Sequence, residues 1–178
     1  TGQPACLVLM DLDHFKRIND TLGHAAGDTA LRRFAGLLRQ RLREIDAVGR
    51  YGGEEFGAVL VNTGGVAGQD LMYRLLADLR ARVAQAEAQT QTAQPLSLAE
   101  CTVSIGLVPF SETFDTPQSW LQHADGALYR AKREGRDGMV VLDAQGAVKS
   151  ERESETGADA EVGDAGVIGG AGVDGTSR

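Results

Sequence analysis

The pattern of apolar and polar positions divides most of the chain into strands and helices. Residues 5–10 form a short, continuous apolar run, which is typical of a strand buried on both faces. Segments 47–51 and 56–61 also have strand character, and the Gly-Gly step between them favours a hairpin. Apolar runs at 101–108 and 139–142 predict two further strands, so we expect five strands in all.

Four helices are predicted between these strands. The first covers residues 15–22 and stops near Gly23, and the second is capped by Asp28 and ends near Glu44. A last helix covers about 117–133, with Gly135 as its C-terminal stop. The apolar positions that mark the second and third helices are Leu31, Phe34, Leu38, Leu42, Ile45, Val66, Met72, Leu75, Leu76, Leu79 and Val83.

The resulting element order is strand, helix, helix, hairpin, helix, strand, helix, strand. A hairpin mixed with crossover helices favours an α+β sandwich, in which a mixed sheet carries helices on its faces. Residues 146–178 differ, because they hold eight glycines, no aromatic residue and no apolar periodicity. We therefore expect one folded domain over 1–145 and a disordered, acidic, Gly-rich tail over 146–178.

Charge and hydropathy exclude several classes of protein. The net charge is −7, and the tail contributes seven acidic against three basic residues. Because no basic stripe is present, binding to nucleic acid or to an anionic membrane surface is not expected. The sequence predicts no transmembrane helix and no signal peptide, and the two cysteines, Cys6 and Cys101, lie in apolar runs typical of buried free thiols. These features predict a cytoplasmic protein.

Three short motifs carry candidate chemistry, and each also has a purely structural interpretation. The sequence Asp-Leu-Asp at 11–13 follows a buried strand, where carboxylates and a carbonyl suit Mg²⁺ or simply cap a helix. Residues 52–55 read GGEE, which permits close approach of a ligand or forms a tight turn with solvated acids. Lys132 and Arg136 either hold a phosphate chain or complement a helix dipole. Together the motifs suit phosphoryl or nucleotidyl transfer.

Four ordered blocks of the sequence resemble the GGDEF domain family, the catalytic modules of diguanylate cyclases. Residues 52–56 read GGEEF, a form of the family signature, and residues 11–20 read DLDHFKRIND, followed by Gly-His at 23–24 and Gly-Asp at 27–28. Residues 102–106 (TVSIG) and 127–136 (ALYRAKREGR) are similar to two further blocks. The resemblance covers about residues 5–142.

The resemblance implies a ferredoxin-like palm related to class III nucleotidyl cyclases, with a largely antiparallel central sheet. It implies condensation of two GTP into cyclic di-GMP by a homodimer, with two Mg²⁺ per active site and Mn²⁺ as an alternative. Glu54 would be the catalytic residue that helps to deprotonate the 3′-hydroxyl group, and Asp13 would be structural. The remaining implied roles are metal binding by Asp11, the Leu12 carbonyl, Glu54 and Glu55, and substrate binding by Lys16, Asn19, Asp28, Gly53, Lys132 and Arg136.

The resemblance also implies a second, inhibitory site for the product. Arg43 and Asp46 form an RxxD motif nine residues before Gly52, although a helix-end ion pair is the structural alternative. Arg80 or Arg82 are candidates to complete this site. The family usually carries a further segment before the first strand, so we expect a truncated start and a missing N-terminal regulatory domain. Two other functions stay open: a catalytically silent receptor for cyclic di-GMP, and a related cyclase that uses ATP.

Overall fold

The computed structural model describes residues 2–89 and 101–148, and these residues form five strands and four helices. The order of the elements is the predicted one, and most boundaries agree within two residues. The elements are β1 (Ala5–Leu12), α1 (Phe15–Leu22), α2 (His24–Arg41), β2 (Ala47–Arg50), β3 (Glu55–Val61), α3 (Gly65–Gln89), β4 (Val103–Pro109), α4 (Pro117–Arg133) and β5 (Gly138–Val141).

The five strands form one mixed sheet in the order β2-β3-β1-β4-β5. The strand β1 lies at the centre and pairs antiparallel with both β3 and β4, whereas β5 pairs parallel with β4. A central strand covered on both faces needs apolar side chains on both faces, which explains the continuous apolar run at its start. The predicted α+β fold with a mixed, largely antiparallel sheet is confirmed.

Each face of the sheet carries its own hydrophobic core, because side chains alternate along β1. On one face Val8 and Met10 belong to the larger cluster, which also includes Phe34 from α2 and Met72 from α3. On the other face Leu9 belongs to a smaller cluster with side chains of α4. Asp11 continues the series of Leu9, so the alternation places it on the face that α4 covers.

The backbones of α4 and β4 come unusually close at Gly106. A Cβ atom at this position would lie 2.5 Å from the carbonyl oxygen of Ala124 and 2.9 Å from the Cα of Leu128. Only glycine fits this contact, which gives a packing reason for the glycine of the TVSIG block. The contact fixes the height of α4 above the sheet, one turn before Lys132.

Three sequence expectations about the helices are wrong. The helix α2 begins at His24, so Asp28 lies within the helix and does not cap it. The cap residue is Gly23, whose carbonyl accepts hydrogen bonds from the N–H groups of Ala26 and Gly27. Since α2 ends at Arg41, Ile45 falls in the following loop and is 57% exposed. Val66 is 66% exposed, because it lies in the first turn of α3, before that helix reaches the core.

Two other expectations concern the cysteines and the end of the domain. Cys6 and Cys101 are both buried, and both are thiols outside any disulfide, as predicted. Burial and the nearby charges of Asp13 and Asp11 raise the pKa of the Cys101 thiol to about 12, so it is not a reactive thiolate at neutral pH. Val148 pairs with Leu142, and the rest of the tail predicted to be disordered, from residue 149, lies outside the described residues. No helix within residues 2–89 and 101–148 combines the length and hydropathy needed to span a membrane.

Candidate active site

The GGEEF loop meets the end of β1 at one edge of the sheet. The strand register places Asp11 opposite Glu55 in β3 and opposite Ser104 in β4. The backbone N–H of Leu12 donates to the carbonyl of Glu54 at 3.2 Å. Two sequence motifs separated by about 40 residues are therefore joined by backbone hydrogen bonds, and their carboxylates share one edge.

Lys132 approaches the same edge from the last turn of α4. Its Nζ lies 2.7 Å from Oδ2 of Asp11, whose side chain is only 7% exposed. A lysine at a helix C-terminus complements the helix dipole, and here it also neutralises a buried carboxylate. The structure thus places this lysine at a helix C-terminus and against the carboxylate of Asp11.

Glu54 lies in an environment that disfavours its ionised form. Burial raises the pKa of its carboxyl group above the ordinary value, and the negative charges of Asp11 and Glu55 raise it further, whereas Lys132 opposes them. These four groups therefore interact electrostatically. Lys132 only partly neutralises the carboxylates of Asp11 and Glu54, so this partly buried pair is suited to binding an additional cation.

The donor set fits a magnesium ion that substrate helps to hold. Within the described ranges, no group of three or more His, Cys, Asp or Glu side chains is arranged to hold a metal on its own. Mg²⁺ in phosphate-transferring sites is commonly bound by one or two carboxylates, with substrate phosphates and water as the other ligands. Asp11, Glu54 and the main chain at Leu12 provide hard oxygen atoms of that kind at one place.

Asn19 in α1 packs against the start of α2, next to the position of Asp28 in the chain. The side chain of Asn19 rests on the backbone of α2 at Gly27, where a Cβ atom would be 2.9 Å from Cγ of Asn19. Asp28 follows Gly27 directly and is exposed. The structure therefore brings Asn19 against the residue that precedes Asp28, and it shows why that residue is a glycine.

The start of α1 offers backbone N–H groups together with Lys16. His14 precedes this helix in a left-handed conformation (φ 58°) and makes no side-chain capping bond. The first N–H groups of a helix have no partner within the helix, so they are available to an anion. Lys16 is exposed in this first turn.

The loop of the β2–β3 hairpin is fixed by Arg50, a residue to which the sequence analysis assigned no role. Its Nε donates to the carbonyls of Gly52 at 3.0 Å and Gly53 at 3.1 Å, and Nη2 also donates to Gly53. Gly53 is exposed, whereas a Cβ atom at Gly52 would be 3.4 Å from Cδ of Glu55. The sequence signal for Arg50 is its position two residues before a Gly-Gly step, whose carbonyls it binds.

Arg136 and Asp13 form a second contact at this edge. Arg136 lies beyond the end of α4, with its Nε 3.9 Å from Oδ1 of Asp13. Asp13 itself is buried and accepts hydrogen bonds from Thr102 and Ser104. The two aspartates of the Asp-Leu-Asp motif thus have different partners, Lys132 for Asp11 and the hydroxyl groups of Thr102 and Ser104 for Asp13.

The predicted inhibitory pair, Arg43 and Asp46, lies in the loop between α2 and β2, and the two side chains bind each other. The guanidinium group of Arg43 contacts Asp46, with Nη2 at 3.2 Å from Oδ1, and also donates to Val61 and Thr63 at 2.6 Å. Asp46 accepts further bonds from the backbone N–H groups of Arg43 and Val61. The ion pair that was the structural alternative is therefore present in the structure.

Asp46 stabilises this loop through these hydrogen bonds. Burial acts to raise its pKa, but the hydrogen bonds from Arg43 and Val61 lower it below the ordinary value overall. Of the candidates to complete the site, Arg80 bonds Asp137 and Arg82 bonds Gln40, and no described contact joins either to Arg43 or Asp46. Half of the Arg43 side chain is exposed, whereas the Asp46 side chain is fully buried.

Comparison with known proteins gives consistent matches across this domain. The family model described as the diguanylate cyclase GGDEF domain matches residues 1–138. The chain is 44% identical over 140 residues to diguanylate cyclase DgcP of Pseudomonas aeruginosa, covering 79% of this chain and 20% of that protein. It is 37% identical over 139 residues to the response regulator PleD of Caulobacter vibrioides, covering 78% and 29%. The chain therefore spans between a fifth and a third of the length of these relatives.

Solved structures agree with the sequence matches. The GGDEF domain of DgcB from Caulobacter crescentus, in complex with c-di-GMP, has a TM-score of 0.68 at 29% identity and covers 81% of this chain and 80% of its own. The active GGEEF domain of a diguanylate cyclase from Vibrio cholerae has a TM-score of 0.66 at 27% identity, with 78% and 83% covered. On the family match and on this geometry, the chain belongs to the GGDEF domain family of diguanylate cyclases.

Proposed function

We propose that this domain condenses two GTP molecules into cyclic di-GMP and releases two pyrophosphates. The 3′-oxygen of each GTP attacks the α-phosphorus of the other, the bond from that phosphorus to the β-phosphate oxygen breaks, and each 3′-hydroxyl proton is lost. One observation carries the proposal: Asp11, Glu54 and Lys132, from three separate blocks of the sequence, meet at one edge of the sheet. That edge has carboxylates for a divalent cation and a cation for phosphate.

Asp11, Glu54, Glu55 and the Leu12 carbonyl would hold two Mg²⁺, or Mn²⁺ in their place. These ions, when bound, withdraw charge from the phosphates and lower the pKa of the attacking hydroxyl. Glu54 accepts the proton of that 3′-hydroxyl, and a nearby carboxylate and metal ions together lower the cost of forming the attacking oxyanion. Gly53, which lacks a side chain, lets the loop backbone approach the nucleotide.

The remaining residues bind the base and the triphosphate. Asn19 and Asp28 bind the guanine edge, because a carboxylate accepts from the N1–H and N2–H₂ donors that adenine does not present in that pattern. Lys16, Lys132 and Arg136 hold the β- and γ-phosphates together with the N–H groups at the start of α1. This assignment favours GTP over ATP as the substrate.

The reaction needs two copies of the domain. Each chain contains one copy of the proposed site, and the product contains two nucleotides, so each subunit of a homodimer supplies one GTP. The relatives extend far beyond the matched domain, and we propose that a regulatory domain outside this chain controls the pairing. A cytoplasmic location, where GTP is available, follows from this proposal.

Turnover should depend on protein concentration more steeply than in direct proportion. When the chain is incubated with GTP and Mg²⁺ below the dimer dissociation constant, doubling its concentration should raise the rate of cyclic di-GMP formation about fourfold, since two half-sites must meet. Chromatography of the product over a dilution series measures this. A rate strictly proportional to concentration throughout the series would contradict catalysis between transiently paired subunits, and no product at any concentration would contradict the proposed reaction.

We also propose that cyclic di-GMP inhibits the enzyme by binding at Arg43 and Asp46. The arginine would leave Asp46, Val61 and Thr63 and turn outward to a phosphate or guanine of the product, while Asp46 accepts from the base. Exposure of half of the Arg43 side chain makes this rotation sterically accessible.

Changing Arg43→Ala should weaken binding of cyclic di-GMP at least tenfold and relieve inhibition without reducing the initial rate. Titration calorimetry and progress curves measure the two effects. Asp46→Asn is a less selective variant, because it replaces one of the two carboxylate oxygens that together accept four hydrogen bonds in this loop. Unchanged inhibition in Arg43→Ala would disprove the assignment. Binding of cyclic di-GMP by a wild-type chain that shows no turnover would favour the receptor function instead.

A further inference from the structure

The carboxylate of Asp13 is buried where three sequence blocks converge. Its side chain has no exposed surface. Oδ1 accepts from the Ser104 hydroxyl at 2.7 Å, and Oδ2 accepts from the Thr102 hydroxyl at 2.8 Å and from the backbone N–H of Asp137 at 3.1 Å. A buried carboxylate with a complete set of donors is a rigid attachment point.

The segment attached to it adopts a backbone conformation that the sequence does not favour. Arg136 and Asp137 are consecutive non-glycine residues in the left-handed region, with φ of 64° and 44°. Such residues persist where surrounding contacts determine their conformation, and they concentrate at functional sites. The N–H bond from Asp137 to Asp13 is one of these contacts, and the N–H of Arg136 bonds to Ala131 at 3.1 Å.

A second contact holds the same turn from the helix α3. Arg80 donates through Nε to the Asp137 carboxylate at 3.2 Å and through Nη2 to the Asp137 carbonyl at 2.6 Å. Asp137 is therefore fixed at its N–H by Asp13 and at its carbonyl and side chain by Arg80. This contact gives Arg80 a role separate from the inhibitory site.

We propose that Asp13, supported by Arg80, is a positioning residue that orients Arg136 for the triphosphate of the substrate. Asp13 holds the backbone of the turn, and its charge attracts the guanidinium group of Arg136, whose Nε lies 3.9 Å away. Asp11, which precedes Asp13 by two residues in the same motif, contacts Lys132. Each aspartate thus holds one cation, Asp11 by direct contact with Lys132 and Asp13 through the turn that carries Arg136. This inference rests on the proposed nucleotide site.

A double-mutant cycle in the 178-residue chain tests the inference. The variants are Asp13→Asn, Arg136→Ala and both together, with binding of α,β-methylene GTP and of GMP measured by calorimetry in Mg²⁺. Asp13→Asn should weaken binding of the triphosphate about tenfold, the loss typical of one charge-assisted contact, and should change the affinity for GMP less than twofold. Once Arg136 is alanine, Asp13→Asn should weaken triphosphate binding less than twofold further.

Two controls separate positioning from general loss of stability. Thr116→Ala removes the cap at the opposite end of α4 and should lower the melting temperature without changing the affinity for either nucleotide. Thr102→Val removes a single hydrogen bond to Asp13 with little change of shape, and it replaces Asp13→Asn if that variant does not fold. Thr102→Val should weaken binding of the triphosphate about threefold and leave the affinity for GMP nearly unchanged.

Additive losses in the cycle, equal losses for GMP and the triphosphate, or a wild-type chain that binds no triphosphate would overturn the positioning role. Coupled losses with GMP affinity preserved support it. Failure of the reaction is a separate outcome. Coupled binding losses in a chain that forms no cyclic di-GMP would leave this inference standing and disprove the proposed reaction, whereas additive losses in an active enzyme would do the reverse.

Discussion

Changing Glu54→Gln should lower the rate of cyclic di-GMP formation by about a thousandfold or more while GTP still binds. The glutamine keeps the shape of the side chain, but it cannot accept a proton and it is a weak ligand for a divalent cation. General-base catalysis alone typically contributes about 10²–10⁴-fold. Product formation at saturating GTP, together with calorimetry of the α,β-methylene analogue, measures the two parts of this prediction.

Glu112→Gln is the matched control for this experiment. Glu112 is exposed in the loop between β4 and α4, and the substitution makes the same chemical change outside the site. Its turnover should equal that of the wild-type chain. Substantial turnover by Glu54→Gln would remove Glu54 from the catalytic role, and loss of nucleotide binding in that variant would show that it acts in the ground state instead.

Changing Gly106→Ala should lower the free energy of unfolding by about 2–3 kcal/mol. The added Cβ would lie 2.5 Å from the Ala124 carbonyl oxygen and 2.9 Å from the Leu128 Cα. Because these are backbone atoms of α4, no rotation of a side chain can relieve the clash, and the helix must move away from the sheet. Urea denaturation followed by circular dichroism measures the loss.

Gly57 provides the matched control, because Leu9 lies between Gly57 in β3 and Gly106 in β4 in the same row of the sheet. A Cβ atom at Gly57 meets only Cδ2 of Leu9, at an ordinary 3.5 Å. Gly57→Ala should therefore leave the stability unchanged within about 0.5 kcal/mol. Equal stability of the two alanine variants would contradict the close approach of α4.

The sequence predicts the strands and helices of this domain well where the local pattern of apolar residues and glycines determines them. Five strands and four helices follow from apolar periodicity and from glycine steps. The errors at Asp28, Ile45 and Val66 share a cause, because hydrogen bonding at helix ends and the distance to the sheet decide capping and burial there. Neither is written in the local pattern.

The candidate site divides in a similar way between local and long-range information. The motifs identify Asp11, Glu54 and Lys132 as chemical candidates, and the structure brings all three together. The role of Asp13 depends on Thr102, Ser104 and Asp137, which are about 90 to 120 residues away. No spacing rule reveals such contacts. Arg80 illustrates the same difficulty, since its partner Asp137 lies on a turn whose conformation the sequence does not indicate.

The position of β1 has a consequence for the synthesis of the protein. It is translated before the other four strands of this sheet, yet it becomes the central strand, and one of its two partners ends only at Pro109. A nascent chain therefore carries an apolar strand without its β4 neighbour until about a hundred further residues have been added. At a translation rate of about 5–20 residues per second, that interval lasts several seconds. During it the chain exposes an open strand edge, so cotranslational protection by a chaperone should benefit this domain more than a fold assembled from sequential neighbours.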